Sequence, residues 1–399
     1  MPVDSRPSRA AVRRRRAALL AVLAAVLVAG AVVGASHDER SPGASGPAAR
    51  ATAAAPRTAL ERARADVART SLRRQVGQLL IVAFPGAKAP EYVVRALREG
   101  RAAGVILFGA NAPSAESVRA LTASLRRAAR AGGQPPPIVC LDQEGGAIRT
   151  LRFAPSAVGQ AAQPTPEAAR AAAAASAREL RRLGVNVVLG PVADVAGGTT
   201  GSVMAGRAYP GDAAAAAAST RAAVAAYLRG GVLPVVKHFP GLGGATTNTD
   251  DAPARIDRTR AELTDGLRPF SAAFDAGAPL VMLGHASYPA LDPERIASQS
   301  HAVATGLLHD TLGFDGVTMT DSLEAQASLD STRGDVGAAA LRALTAGADL
   351  LLMTGAGSFP LVRDAVMSAA HRSPAVRARI AEAAARVQAL RREWRRGSP

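Results

Sequence analysis

The feature that most constrains the fold of this chain is a repeated alternation between short apolar runs and longer amphipathic segments. Helical patterns such as EYVVRALREGRAA (91–103) separate the apolar runs. The eight runs, rich in Val, Ile and Leu, are 78–84, 104–109, 137–146, 185–195, 232–241, 279–287, 316–322 and 348–355. Continuous apolar strands that alternate with helices are typical of a parallel sheet covered on both faces.

Eight strand–helix units predict an α/β fold, a (β/α)8 TIM-type barrel over roughly 72–372 with an extra C-terminal helix. An open doubly wound sheet is the alternative. In that fold we would expect a glycine-rich phosphate-binding turn after the first strand, and FPGAKAPE (84–91) lacks the pattern. We therefore expect one barrel domain over 71–399.

The amino terminus resembles an export signal. RRRR at 13–16 precedes nineteen uncharged residues, 17–35, which end in small residues. This order is typical of a signal peptide, and nineteen apolar residues also suffice to span a bilayer. Residues 1–35 are thus predicted to be a signal peptide or a membrane anchor, and 36–70 a partly disordered linker. We expect an exported protein, extracellular or anchored on the outer face of the cytoplasmic membrane and touching the membrane only through this segment.

The formal charge of +16 raises the question of nucleic-acid binding. Most arginines occur at helical spacing, as in ARELRRLG (177–184), and aromatic residues make up only 3% of the chain. Nucleic-acid binding needs clustered basic residues together with stacking aromatics, so solvated helix faces explain the charge better. Cys140 is the only cysteine, which excludes an intrachain disulfide. We expect a monomer without a nucleic-acid partner.

Polar residues stand where the predicted strands end. In barrels of this class the chemistry occurs at the carboxyl ends of the strands. Charged residues at such buried positions are costly unless they are paired or functional. The residues are Asp142, Gln143 and Glu144 (third strand), Asp194 (fourth, with Arg207 in the next loop), Lys237 and His238 (fifth), His285 (sixth) and Asp321 (seventh). An ion pair at the rim is the alternative for any single residue, but the convergence of the set favours an active site.

Three motifs resemble those of the family 3 glycoside hydrolases. Among the members of that family, the single-domain bacterial β-N-acetylglucosaminidases fit best. They are DQEGG (142–146), KHFPG (237–241) and GVTMTDSLE (316–324), and the resemblance covers nearly all of the chain after residue 70. It implies retaining hydrolysis of terminal β-linked N-acetylglucosamine from cell-wall-type glycans. The implied partner is a carbohydrate, and no metal or organic cofactor is needed.

The same resemblance assigns roles to individual residues. Asp321 is the expected nucleophile, and Asp142, Arg207, Lys237 and His238 are the expected sugar ligands. Lys237 is one of only two lysines in a chain with 48 basic residues. A compact ammonium that donates to a hydroxyl in a narrow space explains why arginine does not replace it.

The loop after the fifth strand departs from the family pattern. That pattern resembles K-H-F-P-G-H-G, four variable residues and D-S-H, whose last histidine is the acid/base. Here Leu242 replaces the first of these histidines, and Asn248-Thr249-Asp250 replaces D-S-H. We expect Asp250 to be a carboxylic general acid/base oriented by Asn248 on a mobile loop, with Asp251 as the backup.

Two alternatives remain open at the level of sequence. Without an acid/base the enzyme would behave as a transglycosylase or phosphorylase, or the protein would be a non-catalytic glycan-binding protein at the cell surface. A second departure affects the DQEGG segment. The family arginine that follows this motif falls on Thr150, so Arg149 or Arg152 is a candidate to replace it.

Overall fold

In the computed structural model, which describes residues 58–355 and 357–397, eight parallel strands form one sheet that closes on itself. The strands are β1 (Leu80–Val82), β2 (Gly104–Ile106), β3 (Ile138–Leu141), β4 (Val187–Val192), β5 (Leu233–Phe239), β6 (Leu280–Leu283), β7 (Val317–Thr320) and β8 (Leu351–Leu352). Their order in the sheet follows the chain, and Leu80 of β1 pairs with Leu351 of β8. A parallel bridge between Met319 and Leu350 joins β7 to β8. The predicted barrel is confirmed, and each strand lies within one of the eight apolar runs.

Helices surround the sheet. They are α1 (Ala59–Ala68), α2 (Leu72–Gly77), α3 (Glu91–Arg98), α4 (Ala115–Ala131), α5 (Pro166–Arg182), α6 (Ala213–Arg229), α7 (Arg260–Gly266), α8 (Arg268–Asp275), α9 (Gln326–Asp330), α10 (Val336–Ala346), α11 (Ser358–Arg372) and α12 (Pro374–Gly397). A π-helix spans Ala302–Thr311, and short 3₁₀ turns span Gly109–Asn111, Gln160–Ala162 and Ala297–Gln299. Small hairpins pair Gln143–Gly145 with Ile148–Arg149 and Ser287–Tyr288 with Asp292–Ile296. Side chains cap several helix starts: Ser114, Thr165 and Asp212 each accept a backbone N–H from the first turn of α4, α5 and α6.

Alternate strand residues point into the barrel and form its inner core. Ile81, Ile106 and Met282 belong to this apolar cluster, and Val387 and Leu390 of α12 join it. The buried guanidinium of Arg391 donates to the carbonyls of Pro135 and Pro136, just before β3. The predicted C-terminal helix therefore exists and covers the N-terminal end of the barrel, while the site residues gather at the opposite end.

The folded unit begins earlier than the sequence predicts. Residues 59–68, assigned above to the linker, form α1, and a capping box between Thr58 and Glu61 starts this helix. Ala63 and Val67, four residues apart, are buried, and Asp66 pairs with Arg392 of α12. The apolar stripe and the cap thus convert the end of the predicted linker into a packed helix. The predicted signal or anchor and the rest of the linker lie outside the described residues. None of the described helices is both long and apolar enough to cross a bilayer.

Candidate active site

The carboxyl ends of the strands bring the predicted site residues to one mouth of the barrel. Asp142 follows β3, Arg207 lies in the loop after β4, Lys237 and His238 belong to β5, Asp250 lies in the loop after β5, and Asp321 follows β7. Two hydrogen-bonded groups organise these residues. One surrounds Lys237, and the other surrounds His238.

Lys237 lies at the centre of a buried ion network. Its Nζ is 2.5 Å from Oδ1 of Asp142 and 2.7 Å from Oε1 of Glu144. Arg207 makes two bonds to Glu144, Nη2 to Oε1 at 2.7 Å and Nε to Oε2 at 2.9 Å. The side chains of Asp142 and Arg207 are exposed by 27% and 25%, whereas those of Lys237 and Glu144 are exposed by only 3% and 2%. Asp142 and Arg207 therefore form the part of the network that is exposed at the mouth. The buried Glu144 holds Arg207 directly and Asp142 through Lys237.

The network fixes the charges of its buried members. Burial opposes the ionisation of Glu144, but Lys237 and Arg207 outweigh burial and lower its pKa to about 2. Burial would lower the pKa of Lys237, yet the charges of Asp142 and Glu144 raise it above its ordinary value. The ammonium has three N–H donors and these two carboxylates as acceptors, so one donor remains for a ligand. Such a set can bind sugar hydroxyls in a defined orientation.

A second group aligns His238 with Asp321. The fully buried Asp194 accepts a hydrogen bond from Nδ1 of His238 at 2.7 Å. It also accepts the backbone N–H groups of His238 at 3.3 Å and of Leu242 at 2.6 Å. On the other side of the imidazole, Nε2 lies 3.9 Å from Oδ2 of Asp321. The sequence placed Asp194 at the mouth, but it did not show that this residue orients His238.

Asp321 is an ionised carboxylate that is partly exposed at the mouth. The backbone N–H of Ser322 donates to its Oδ1 at 2.8 Å, and 20% of its side chain is exposed. Burial raises its pKa, but the neighbouring His238 and His285 outweigh burial, and the net pKa lies below the ordinary value. His285 also fixes the turn, because its Nε2 is 2.8 Å from the carbonyl of Ser322.

The loop after β5 is anchored where the sequence predicts a mobile segment. Gly241 adopts φ +125°, and its carbonyl accepts the Tyr288 hydroxyl at 2.9 Å. Gly243 packs against the backbone, where a Cβ would come within 2.0 Å of the Val195 carbonyl. At the far end, the carbonyl of Asp250 accepts the N–H of Gln326, at the start of α9, at 3.1 Å. The loop is thus fastened to the barrel on both sides.

Asp250 stands at the rim of the same mouth. The residue as a whole is exposed, but neighbouring protein atoms partly bury its carboxyl group. This burial and the charge of Asp321 raise the pKa of Asp250 above the ordinary value. Asn248 organises this turn: its Oδ1 accepts the backbone N–H of Asp250 at 3.2 Å, and its amide donates to Asp251 at 3.3 Å. The mouth therefore holds two carboxyl groups with opposite pKa shifts, Asp321 downward and Asp250 upward. Such a pair is suited to a nucleophile and a proton donor.

Comparison with known proteins gives consistent matches. The family model described as "Glycosyl hydrolase family 3 N terminal domain" matches residues 71–390. An "Uncharacterized secreted glycosyl hydrolase" from Arthroderma benhamiae is 33% identical over 290 residues, which cover 70% of this chain and 81% of that protein. A "Beta-hexosaminidase" from Xanthomonas oryzae is 35% identical over 271 residues, 64% of this chain and 78% of that protein.

A solved structure agrees with these matches. The family 3 β-N-acetylglucosaminidase from Paenibacillus sp. superimposes with a TM-score of 0.76 at 31% identity. The match covers 83% of this chain but only 64% of that chain. This chain therefore spans slightly less than two thirds of that structural relative.

Proposed function

This chain belongs to glycosyl hydrolase family 3, and from that premise we propose that it is a retaining β-N-acetylglucosaminidase. It would release terminal β-linked N-acetylglucosamine from cell-wall-type glycans. The observation that carries the proposal is the pair of carboxyl groups at one mouth, Asp321 with a lowered pKa and Asp250 with a raised pKa. Retaining glycosidases need one carboxylate as nucleophile and one carboxylic acid as proton donor.

In the first step the ionised Asp321 attacks the anomeric carbon of the bound sugar. Protonated Asp250 donates its proton to the glycosidic oxygen as the bond from that oxygen to the anomeric carbon breaks. The leaving group departs as an alcohol, and the sugar remains attached to Asp321 as a glycosyl ester. The hydrogen bond from the Ser322 N–H to Asp321 positions the attacking carboxylate.

In the second step Asp250, now ionised, acts as a base. It removes a proton from a water molecule as the water oxygen attacks the anomeric carbon. The bond to Asp321 breaks, and N-acetylglucosamine leaves with its β-configuration retained. Asp250 is protonated again, so both carboxyl groups return to their starting states.

Sugar recognition is assigned to the ion network around Lys237 and to His238. Asp142 accepts hydroxyl protons, and Arg207 and Lys237 donate to hydroxyl oxygens from fixed positions. His238, whose Nε2 lies 3.9 Å from Asp321, stabilises the carboxylate and contacts the sugar near the reacting carbon. Each of these groups is held by a buried partner, as a preorganised site requires.

We also propose that the protein is exported. The support is the basic and apolar sequence of residues 1–35 together with the secreted relative from Arthroderma benhamiae. A glycan substrate outside the cytoplasmic membrane is consistent with this location.

The direct test of the function is hydrolysis of an aryl β-N-acetylglucosaminide by the purified protein, with Asp321→Asn as the comparison. We expect release of the aryl alcohol, a loss of about 10⁴-fold or more in kcat for the variant, and covalent labelling of Asp321 by a slow fluorinated analogue. Labelling of another residue would end the nucleophile assignment. Sugar binding without turnover at any pH would favour a non-catalytic glycan-binding protein.

A further inference from the structure

A pocket of about 480 Å³ opens on the outer side of the barrel, between α3 and α11. Val82 of β1 and Met353, just after β8, line it together with Tyr92 of α3 and Phe359 of α11. Val82 belongs to the apolar core between the sheet and the helices, whereas its neighbour Ile81 points into the barrel. The residues proposed for catalysis and sugar binding do not line this pocket, so it is a separate site.

The lining of the pocket is largely apolar. Ala96 of α3 and Pro360 of α11 have short side chains, and the space between the two helices is therefore not filled. Tyr92 is exposed by 42%, and its hydroxyl has no hydrogen-bond partner among the residues that the structure describes. Pockets that hold small organic ligands range from about 300 to 1,000 Å³, so this pocket is large enough for one.

Three arginines line the same pocket. Arg363 is already paired, with its Nε 2.8 Å from Oδ1 of Asp364. The guanidinium of Arg95 has no partner in the described part of the chain. Nη2 of Arg101 lies 2.6 Å from Oε2 of Glu99, but the Nε of Arg101 is buried and no described residue accepts its hydrogen bond. A buried donor without an acceptor is unfavourable, so a negatively charged acceptor would be stabilised here.

The two features together define the class of ligand. An apolar lining requires an apolar body, and the two arginines with unused donors require an oxyanion at one end of it. Aliphatic groups from Val82, Met353, Ala96 and Pro360 outnumber the two rings in this lining, and the unbranched thioether of Met353 adapts its shape to a neighbouring chain. The lining therefore favours a flexible aliphatic chain over a rigid ring system.

We infer that this pocket binds a fatty acid of medium chain length. The aliphatic chain packs against Val82, Met353 and the rings of Tyr92 and Phe359, and the carboxylate accepts hydrogen bonds from Arg95 and from Nε of Arg101. The inference goes beyond the proposed function, because the site lies outside the barrel and takes part in no step of glycoside hydrolysis.

The test is titration calorimetry of the purified protein with octanoate, with butanoate and with octanol. We expect one octanoate per chain, with a dissociation constant below about 1 mM. Butanoate should bind about 100-fold more weakly or less, because it lacks four methylene groups that octanoate buries. Octanol has the same chain without the charge, and it should bind about tenfold more weakly, as expected for the loss of a charged hydrogen bond.

Variants locate the binding in this pocket. Arg95→Gln should weaken octanoate about tenfold and leave octanol unchanged. Tyr92→Ala should weaken both ligands, since it removes apolar surface from the lining. Arg98→Gln is the matched control: Arg98 is an exposed arginine on the same helix that does not line the pocket, and this variant should bind octanoate as the wild type does. Urea unfolding checks that each variant is folded.

The binding assay needs no turnover, so its outcome is independent of the proposed function. Octanoate that fails to bind, or that binds no better than butanoate or octanol, overturns the inference. Equal octanoate affinity in Arg95→Gln and Arg98→Gln overturns it as well, because the binding would then depend only on the overall positive charge. Naphthoate that binds more tightly than octanoate would identify an aromatic acid as the occupant and overturn the assignment to a fatty acid.

Discussion

Nδ1 of His238 lies 2.7 Å from Oδ2 of Asp194, and this contact decides which imidazole nitrogen faces the mouth of the barrel. A carboxylate only accepts hydrogen bonds, so Nδ1–H is the donor in this contact, and Nε2 points towards Asp321. Asp194 also binds the N–H of Leu242, the first residue after Gly241 in the loop that carries Asp250. One buried carboxylate thus connects the strand of the proposed sugar ligands Lys237 and His238 with the loop that holds the proposed proton donor.

Asp194→Asn should lower kcat by about 100-fold with a smaller change in KM, since an amide of the same size places an NH₂ donor or a weaker acceptor opposite His238. Steady-state kinetics on an aryl β-N-acetylglucosaminide measures this effect. Asp257→Asn, an exposed aspartate, serves as the control. Wild-type kcat in a folded Asp194→Asn protein would contradict the orienting role of Asp194.

Asp250→Ala should affect natural disaccharides far more than aryl glycosides with good leaving groups. A leaving group of low pKa departs without a proton, whereas a sugar alcohol needs the proton that Asp250 donates, and general acids contribute about 10² to 10⁴ in rate. The measurement is kcat/KM for aryl glycosides of graded leaving-group pKa. Asp251→Ala is the matched neighbour and should retain activity on both classes. An equal loss on both classes in Asp250→Ala would remove Asp250 from the role of proton donor.

The pH dependence of kcat/KM should be bell-shaped. The ordinary carboxyl pKa of both residues is 3.8; that of Asp321 is lowered and that of Asp250 is raised. The reactive state, Asp321 ionised and Asp250 protonated, is populated between the two pKa values. Activity therefore falls at low pH as Asp321 is protonated, and at high pH as Asp250 loses its proton. Asp250→Ala should lack the alkaline limb when it is assayed on an activated aryl glycoside; an unchanged limb would assign that limb to another group.

The barrel was predictable from the sequence because buried parallel strands need continuous apolar runs, and each of the eight strands lies within such a run. Strand bounds were less accurate: the last run, 348–355, contains only the short β8. The helix α1 was missed because its apolar stripe is narrow. Ala63 and Val67 are its buried residues, and their burial depends on α12, more than 300 residues away in the chain.

The sequence predicted the site as a set of residues at strand ends. It did not predict which of these residues form hydrogen bonds and ion pairs with one another. Arg207 reaches Glu144 from a loop after another strand, a contact that sequence spacing does not encode. Asp194 was assigned no role, because a buried carboxylate that orients a histidine and one that forms an ion pair at the rim have the same sequence signature. The bonds from the Arg149 guanidinium to the carbonyls of Gly146 and Arg152 are likewise contacts that sequence spacing does not encode.

Glu144→Gln should destabilise the fold at neutral pH by about 3 kcal/mol, and the difference should vanish in acid. The pKa of buried Glu144 is about 2, against an ordinary value of 4.5, because Lys237 and Arg207 favour its charged form. Because the folded-state pKa is lowered, the charge of Glu144 stabilises the folded state fully above about pH 4.5, and this stabilisation is lost as the pH falls towards 2. The difference between the two pKa values corresponds to about 3 kcal/mol in the free energy of unfolding. Urea unfolding of both proteins between pH 7 and 2.5 measures the free energy of unfolding. Glu91→Gln, exposed on α3, controls for the loss of a surface carboxylate. A constant difference at all pH values would show that the ion network does not stabilise the barrel through the charge of Glu144.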